Sequence, residues 1–443
     1  MTIAARYPSI SEIRGIYIDE AGLRALGRVH GSELTVVEFH DPYTHDCGVE
    51  GLCRGSPNLK KLRLRNQGGT IVTNASVKAI ETYCPNIEVL SLNYWDEITD
   101  ECIQYLLQLK SLIEINMSNC NTLTSTGVQR LLRGNNNMQV LIFSNIFDDE
   151  DRKPTPFINA KLQTCISTHC PHLTTLHLAV PTGSDVTSAS LSAMIRGCPL
   201  LQDLRLDSYN KHNYTLPTLA SYCLHLRRLY IDKVLITDED VTVLCQGCKV
   251  LVSLALRNCE TITDKGIISI ATYCQQLQDF TISYNNYITD TSLCTLFINC
   301  IDLRTVHLQV ITLITDRSIF TLVQHCLKLH SLSLLYNTYI TDRSVMTIAL
   351  YGKHIEHLGL YHIADASDES IILITKHCKN LSCIDFEYLP SITTHCITAI
   401  LDKCKHLTEF RVACDDVVDW PPRFQDACDK RCMRYKGPKI QWF

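Results

Sequence analysis

The chain has 443 residues, of which 46% are hydrophobic and 20% charged. That apolar content excludes a disordered chain, and the length calls for two or three domains unless a repeat array replaces the single core. A net charge of -5 and a pI near 6.4 give no electrostatic reason for nucleic acid as a partner. No apolar run is long enough for a bilayer span or a secretory signal, so the expectation is a chain of the cytoplasm or nucleus that binds no membrane.

The predicted elements start at residue 13 with the strand-like hexamer "IRGIYI" and continue with "LTVVEF" at 34, "LKKLRL" at 59 and "IEVLSL" at 87. Further copies follow as "LIEINM" at 112, "MQVLIF" at 138, "LTTLHL" at 173, "LQDLRL" at 201 and "LRRLYI" at 226. From "LVSLAL" at 251 the spacing settles at 26 residues, through "LQDFTI", "LRTVHL", "LHSLSL", "IEHLGL" and "LSCIDF" to "LTEFRV" at 407. Sixteen copies at this period predict a solenoid, in which each unit buries its apolar face only against its neighbours. Within each copy the last two apolar residues stand two apart and therefore share one face of a strand.

A helix follows each strand. In "ITDKGIISIATYC" the Thr or Asp caps the first turn, and Ile267, Ile270, Ala271 and Cys274 fall on one helical stripe. The same stripe recurs as Val241, Leu244, Cys245, Cys248, as Leu293, Leu296, Phe297, Cys300, and as Ile319, Leu322, Val323, Cys326. It closes on a cysteine at Cys84, Cys170, Cys198, Cys223, Cys248, Cys274, Cys300, Cys326, Cys378 and Cys404, and on Gly55 and Gly352 elsewhere. Reduced thiols acting as compact hydrophobes explain this position by their volume.

The unit C-x-x-L-x-x-L-x-L…I-T-D…C, seen most fully in "NCETITDKGIISIATYC", resembles the cysteine-containing leucine-rich repeats of F-box/leucine-rich-repeat proteins, the substrate receptors of cullin–RING ubiquitin ligases. The resemblance covers roughly residues 8–414. It implies an α/β fold: a right-handed leucine-rich-repeat solenoid, or horseshoe, with parallel strands on the concave face and helices on the convex face. It also implies a non-enzymatic protein-binding module for substrate recognition in ubiquitin-ligase-dependent degradation. No F-box segment precedes the repeats, so ligase subunits would be reached through an N-terminal element absent from this sequence; the alternative is a scaffold or regulator with no ubiquitin link. The first strand is expected to need a partner or an upstream domain over its open edge. Residues 415–443, with Trp420 and Trp442, are expected to cap the other end. An insertion at 146–157, which stretches the spacing to 35 residues, is expected as a loop over one rim, anchored by Ile146, Phe147 and Phe157.

A protein substrate or regulatory partner is expected on the concave face. The residues between the leucines point there: Lys61, Arg63 and Arg65, then Asp203, Arg205 and Asp207, then Arg228, Tyr230 and Asp232. His307, His357, Tyr361, Asp385, Glu387 and Arg411 follow. Arg and Tyr on a wide wall suit protein binding, and the three early cations suit an acidic or phosphorylated segment. Catalytic and metal sites are not expected, and no cofactor is. "CQGC" at 245–248 lies on the buried stripe with no second pair at zinc spacing. "CDKRC" in the tail lacks companions. The His-Cys steps at His169, His325 and His377 point their two side chains in different directions. "GLRALGRVHG" at 22–31 lacks the ending of a phosphate loop.

Overall fold

The computed structural model describes residues 10–65, 72–143, 158–181, 183–208, 216–363, 365–389, 391–413 and 434–436. The insertion at 146–157, its three apolar residues, both tail tryptophans and the tail cysteines lie outside them. The chain divides into two compact units, Met1–Leu226 and Arg227–Phe443.

In the first unit eight strands alternate with eight helices: β1 (Glu12–Asp19), α1 (Glu20–His30), β2 (Val36–Tyr43), α2 (Asp46–Gly55), β3 (Lys61–Leu64), α3 (Asn74–Tyr83), β4 (Val89–Ser91), α4 (Cys102–Leu106), β5 (Glu114–Asn116), α5 (Ser125–Gly134), β6 (Val140–Phe143), α6 (Ala160–His169), β7 (Thr175–Val180), α7 (Ser188–Gly197), β8 (Asp203–Ser208) and α8 (Leu216–Tyr222). Each strand pairs in parallel with the next from β1 to β8. Of the glycines of "GLRALGRVHG", Gly22 and Gly27 sit on α1 and Gly31 follows its last residue. A Cβ at Gly27 would stand 2.5 Å from the Gly51 carbonyl oxygen, so glycine there lets α1 and α2 touch backbone to backbone.

The second unit repeats the scheme more regularly: β9 (Arg228–Asp232), α9 (Asp238–Gly247), β10 (Ser253–Arg257), α10 (Asp264–Tyr273), β11 (Asp279–Thr289), α11 (Asp290–Asn299), β12 (Thr305–Leu313), α12 (Asp316–His325), β13 (Ser331–Leu335), α13 (Asp342–Tyr351), β14 (His357–Tyr361), α14 (Asp368–His377), β15 (Cys383–Glu387), α15 (Thr394–Lys403), β16 (Glu409–Ala413) and β17 (Arg434–Lys436). These strands also pair in parallel and in order. A strand stands at each of the sixteen hexamers, and β17 pairs with β16 as one strand more. Among the described residues no helix is long and apolar enough to cross a membrane.

The stripe predicted for the helices is the core. Ile267, Ile270, Ala271 and Cys274 are wholly buried, as are Leu254 and Leu256 of β10 beneath them. Each such Leu or Ile contributes roughly 1.5–3 kcal/mol on burial. All ten closing cysteines are buried. Small volume is required at this point: a Cβ at Gly55 would lie 2.0 Å from the Gly27 carbonyl oxygen.

Volume is not the whole reason for sulfur. The Cys198 thiol donates to the Cys170 carbonyl at 3.7 Å, Cys223 to Cys198 at 3.7 Å, Cys300 to Cys274 at 3.6 Å, Cys326 to Cys300 at 3.6 Å and Cys378 to Gly352 at 3.3 Å. A helix leaves its last carbonyls without partners, and each thiol gives the preceding repeat's helix end a weak donor. Alanine would fill the space but supply no proton. Replacing Cys300 with Ala is therefore expected to cost about 1 kcal/mol in urea unfolding, at the low end for a buried side chain that also loses a hydrogen bond.

The Asp of "ITD" works across the repeat boundary. Thr263 caps its own helix, accepting from the Lys265 amide, as the sequence suggests. Asp264 instead accepts from the next repeat: the Thr289 amide at 2.8 Å, the Thr289 hydroxyl at 2.7 Å and the Ser292 hydroxyl at 2.5 Å. Asp238 holds Thr263 likewise, Asp290 holds Thr315 and Ser318, Asp316 holds Thr341 and Ser344, Asp342 holds Ser367, and Asp368 holds Thr393. Asp46 makes the same bonds to Thr73 and Ser76 in the first unit. In these repeats one carboxylate thus ties the start of one helix to the start of the next, where the helix dipole also favours negative charge.

Candidate partner-binding surface

Strand residues that alternate with the core leucines form the sheet face turned away from the helices. In the first unit this face is charged but self-satisfied. Arg63 lies between Glu38 at 2.5 Å and Glu114 at 2.7 Å, and Arg14 reaches Glu38 at 3.3 Å, which makes a row of alternating sign across β1, β2, β3 and β5. Burial acts to lower the Arg63 pKa, but Glu114 and Glu38 more than offset it and hold the proton more firmly than usual. Arg65 lies over the Tyr94 ring. The basic patch expected at Lys61, Arg63 and Arg65 is thus corrected at Arg63, whose charge already has two carboxylates. Replacing Arg63 with Ala should lower stability by about 1 kcal/mol by leaving Glu38 and Glu114 without their cation. Adding Glu38→Gln should recover part of the loss in a double-mutant cycle.

The middle residues are corrected more strongly. Arg205 and Asp207 are only 6% and 3% exposed, and the Arg205 Nε donates to Asp207 at 3.1 Å. They form a buried ion pair within β8, not an open contact. Asp203 faces His177 of β7 at 3.2 Å. Asp232 is also buried and accepts from the Asn258 amide nitrogen at 2.7 Å.

In the second unit the strand register places Tyr230, Ala255, Thr281, His307, Ser333, Gly359, Asp385 and Arg411 in one transverse row. The Tyr230 hydroxyl accepts from Arg257, and Arg411 donates to Asp385 at 3.2 Å. Arg228 and His357 are exposed, whereas His307 and Tyr361 are half-buried. The Glu387 side chain lies outside the described residues. Between the larger groups the row is shallow, because Ala, Thr, Ser and Gly occupy it. Cys383 is half-buried on the same face, and burial together with Glu409 raises its thiol to about 11, so at neutral pH it is not a thiolate nucleophile.

A row of exposed aromatic residues adjoins this face. Tyr284 within β11, Val310 within β12, and Tyr336, His362 and Tyr388 just past β13, β14 and β15 recur at 26-residue intervals with φ between 53° and 55°, the left-handed region. That conformation costs a non-glycine residue about 1–2 kcal/mol. The turn is held by the buried Asn285, whose side chain donates to the Ile262 carbonyl at 2.8 Å and accepts from the Tyr287 and Ile288 amides. Its effect is to aim successive rings outward. Tyr336 and His362 lie 4.3 Å apart and His362 stacks on Tyr388 at 4.6 Å. Three residues farther along each loop, Tyr287 and Tyr339 are 61% and 57% exposed, with Leu313 at the equivalent place between them. The signal existed in the repeated "YNNYITD" and "YNTYITD" of residues 284–290 and 336–342. It was hidden because attention to strand positions passes over the residues just after them.

This architecture is that of a leucine-rich-repeat protein. A family profile described as "Leucine Rich repeat" matches residues 247–271, the stretch from the end of α9 into α10. Among solved structures, a chain from the crystal structure of the Rad7 and Elc1 complex in yeast aligns with a TM-score of 0.59 and 16% identity, over 83% of this chain and 84% of that one. The likeness shows a shared solenoid fold. A chain from a TLR13–ssRNA13 complex aligns over 91% of this chain and 66% of its own, at 14% identity and a TM-score of 0.41, a level that supports no argument here. The repeats resemble those of F-box/leucine-rich-repeat proteins.

Proposed function

We propose that this chain is a non-enzymatic protein-binding module, and that its partner lies along the aromatic rim and the adjoining sheet face of the second unit. One observation carries the reading. The stacked Tyr336, His362 and Tyr388 rings, with Tyr284, Tyr287 and Tyr339 beside them, are large, amphipathic and held on a repeat scaffold. Such side chains lose little freedom on binding and dominate protein interfaces. Arg228, His307, His357 and Tyr361 extend the contact onto the sheet, whereas the buried Arg205, Asp207 and Asp232 do not contribute. The proposed role is substrate recognition for cullin–RING ubiquitin ligases, in keeping with the repeat resemblance. The yeast neighbour was solved with a second protein, and the proposal extends that use, one protein holding another, to this chain.

The test is capture of partners from cells by the intact chain and by a variant with Tyr336, His362 and Tyr388 all changed to Ala. The variant should melt at the same temperature and lose specific partners, with cullin-ligase subunits among the proteins captured by the intact chain. An unchanged partner set would refute the site. Retained partners without any ligase subunit would favour the second reading, a scaffold outside the ubiquitin system.

A further inference from the structure

The helix C-terminal side of the second unit presents a different surface. Several cations elsewhere are engaged: Arg14, Arg63, Arg205 and Arg411 each meet a carboxylate. By contrast Lys353, Lys376, Lys403 and Lys405 are exposed. Among the described residues they have no ion-pair partner. Lys353, Lys379 and Lys405 each follow the small residue that closes a helix, so they form a column at the repeat period. Like charges in neighbouring repeats repel. The helix dipole accounts for cations in a last turn, and Lys379 donates to the Thr375 carbonyl in that manner. It does not account for what adjoins them.

Next to Lys353 a cleft of about 540 Å³ opens between the ends of α12 and α13, within the volume range of ligand-sized sites. Its floor is the buried Val323, Cys326 and Leu329. Leu327, 67% exposed, and Leu350, 47% exposed, stand at its walls with Tyr351, which packs edge-on against Phe320 at 6.1 Å. Leu327 occupies the position that is lysine after Cys248, Gly352, Cys378 and Cys404. Exposed apolar walls gathered around a cleft that lies beside lysines mark an interaction surface.

We infer that this cleft is a second docking site and that its occupant is an acidic segment of a partner protein. One bulky apolar side chain of that segment enters between Leu327 and Leu350, and its carboxylates face Lys353 and the lysine column. The occupant is acidic because the mouth offers Lys353, His325 and His354 and no acid lines it among the described residues, while Asp302 of the neighbouring repeat is bonded to Lys328. The site is separate from the aromatic rim and does not depend on it.

The test uses the full chain and a fluorescein-labelled helical peptide with Leu and Phe four residues apart and Glu on both flanks. Two controls replace the apolar pair with Ser, or every Glu with Lys. Phosphatidylserine vesicles and sedimentation test the other occupants. The Glu-flanked peptide should bind, more weakly as salt rises. Leu350→Ser, Leu327→Ser and Lys353→Glu should each weaken it at least about tenfold at unchanged melting temperature, and Tyr336→Ala should not. Absence of binding, equal binding of either control, or indifference to the cleft variants would overturn the inference. So would vesicle binding in place of peptide binding, or self-association abolished by Leu327→Ser.

Discussion

Raising the pH from 8 towards 12 is expected to unfold the protein cooperatively, with release of protons from its cysteines. Burial raises the thiols of Cys102, Cys170, Cys198, Cys223, Cys259, Cys300, Cys326 and Cys378 to about 12. In the unfolded chain they ionise near the ordinary value of about 8.5. A folded-state pKa above the unfolded one gives stability that is complete below the lower value and is lost as pH climbs towards the higher. In that window the native state holds protons that the unfolded state has released, so stability falls with pH by about 1.4 kcal/mol per unit for each thiol. Eight thiols acting together remove about 11 kcal/mol per unit once the unfolded chain is ionised, which is comparable to the whole stability of a domain. Circular dichroism and thiolate absorbance should therefore change together between about pH 9 and 11. Thiolate appearing gradually in a chain that keeps its helices would contradict the burial of these groups.

The second large effect is expected from the aspartate ladder. Replacing Asp290 with Ala removes the acceptor for the Thr315 amide at 2.9 Å, the Thr315 hydroxyl at 2.6 Å and the Ser318 hydroxyl. Hydrogen bonds to a charged group are worth roughly 1.5–3 kcal/mol each, and the orphaned donors of a half-buried helix start are only partly rescued by water. A loss of about 3 kcal/mol in urea unfolding is the expected result. Because repeats are stabilised by their neighbours, hydrogen exchange should quicken first in α12, the helix that Asp290 caps, and not in α11, which carries it. Equal protection in both variants would mean that the ladder is incidental. The acid limit has the opposite sign. Burial acts to raise the Asp368 carboxyl, but hydrogen bonds from the Thr393 hydroxyl and amide and from Cys396, with the nearby His395, leave it below the usual carboxylate value. Its contribution is present above the unfolded value and is lost as pH falls through the lower folded one.

Relations within one repeat were legible in the sequence, and relations between repeats were not. Ile267, Ile270, Ala271 and Cys274 fall on one face because a helix turns every 3.6 residues, and the recurring hexamer located β1 to β16. The partner of Asp264 is Thr289, 25 residues on, and nothing in the local pattern distinguishes that from a cap on its own helix. Stacking decides it. The sheet face suffered from the same limit. Residue type alone makes Arg63 an open cation and Arg205 a residue of the open wall, but register brings Glu38 beside Arg63, and Asp207 pairs with Arg205 from two residues along the same buried strand. The aromatic rim failed for another reason. Its residues sit in a left-handed turn that favours glycine or asparagine on local grounds, so Tyr284 and Tyr336 look like ordinary loop residues until the turn is seen to point them outward.

The account rests on cysteines enclosed between stacked repeats, each filling a small space and several of them, Cys198, Cys300 and Cys326 included, donating to a carbonyl of the repeat before. Thiol labelling of the native, reduced protein by a small disulfide reagent tests this most directly. Of the 20 described cysteines, 18 are buried. Among the described cysteines, rapid reaction should be confined to exposed Cys47 and half-buried Cys383, with the other 18 reacting only on unfolding. Rapid reaction of Cys198, Cys300 and Cys326 in the folded chain, or zinc retained by them, would contradict it.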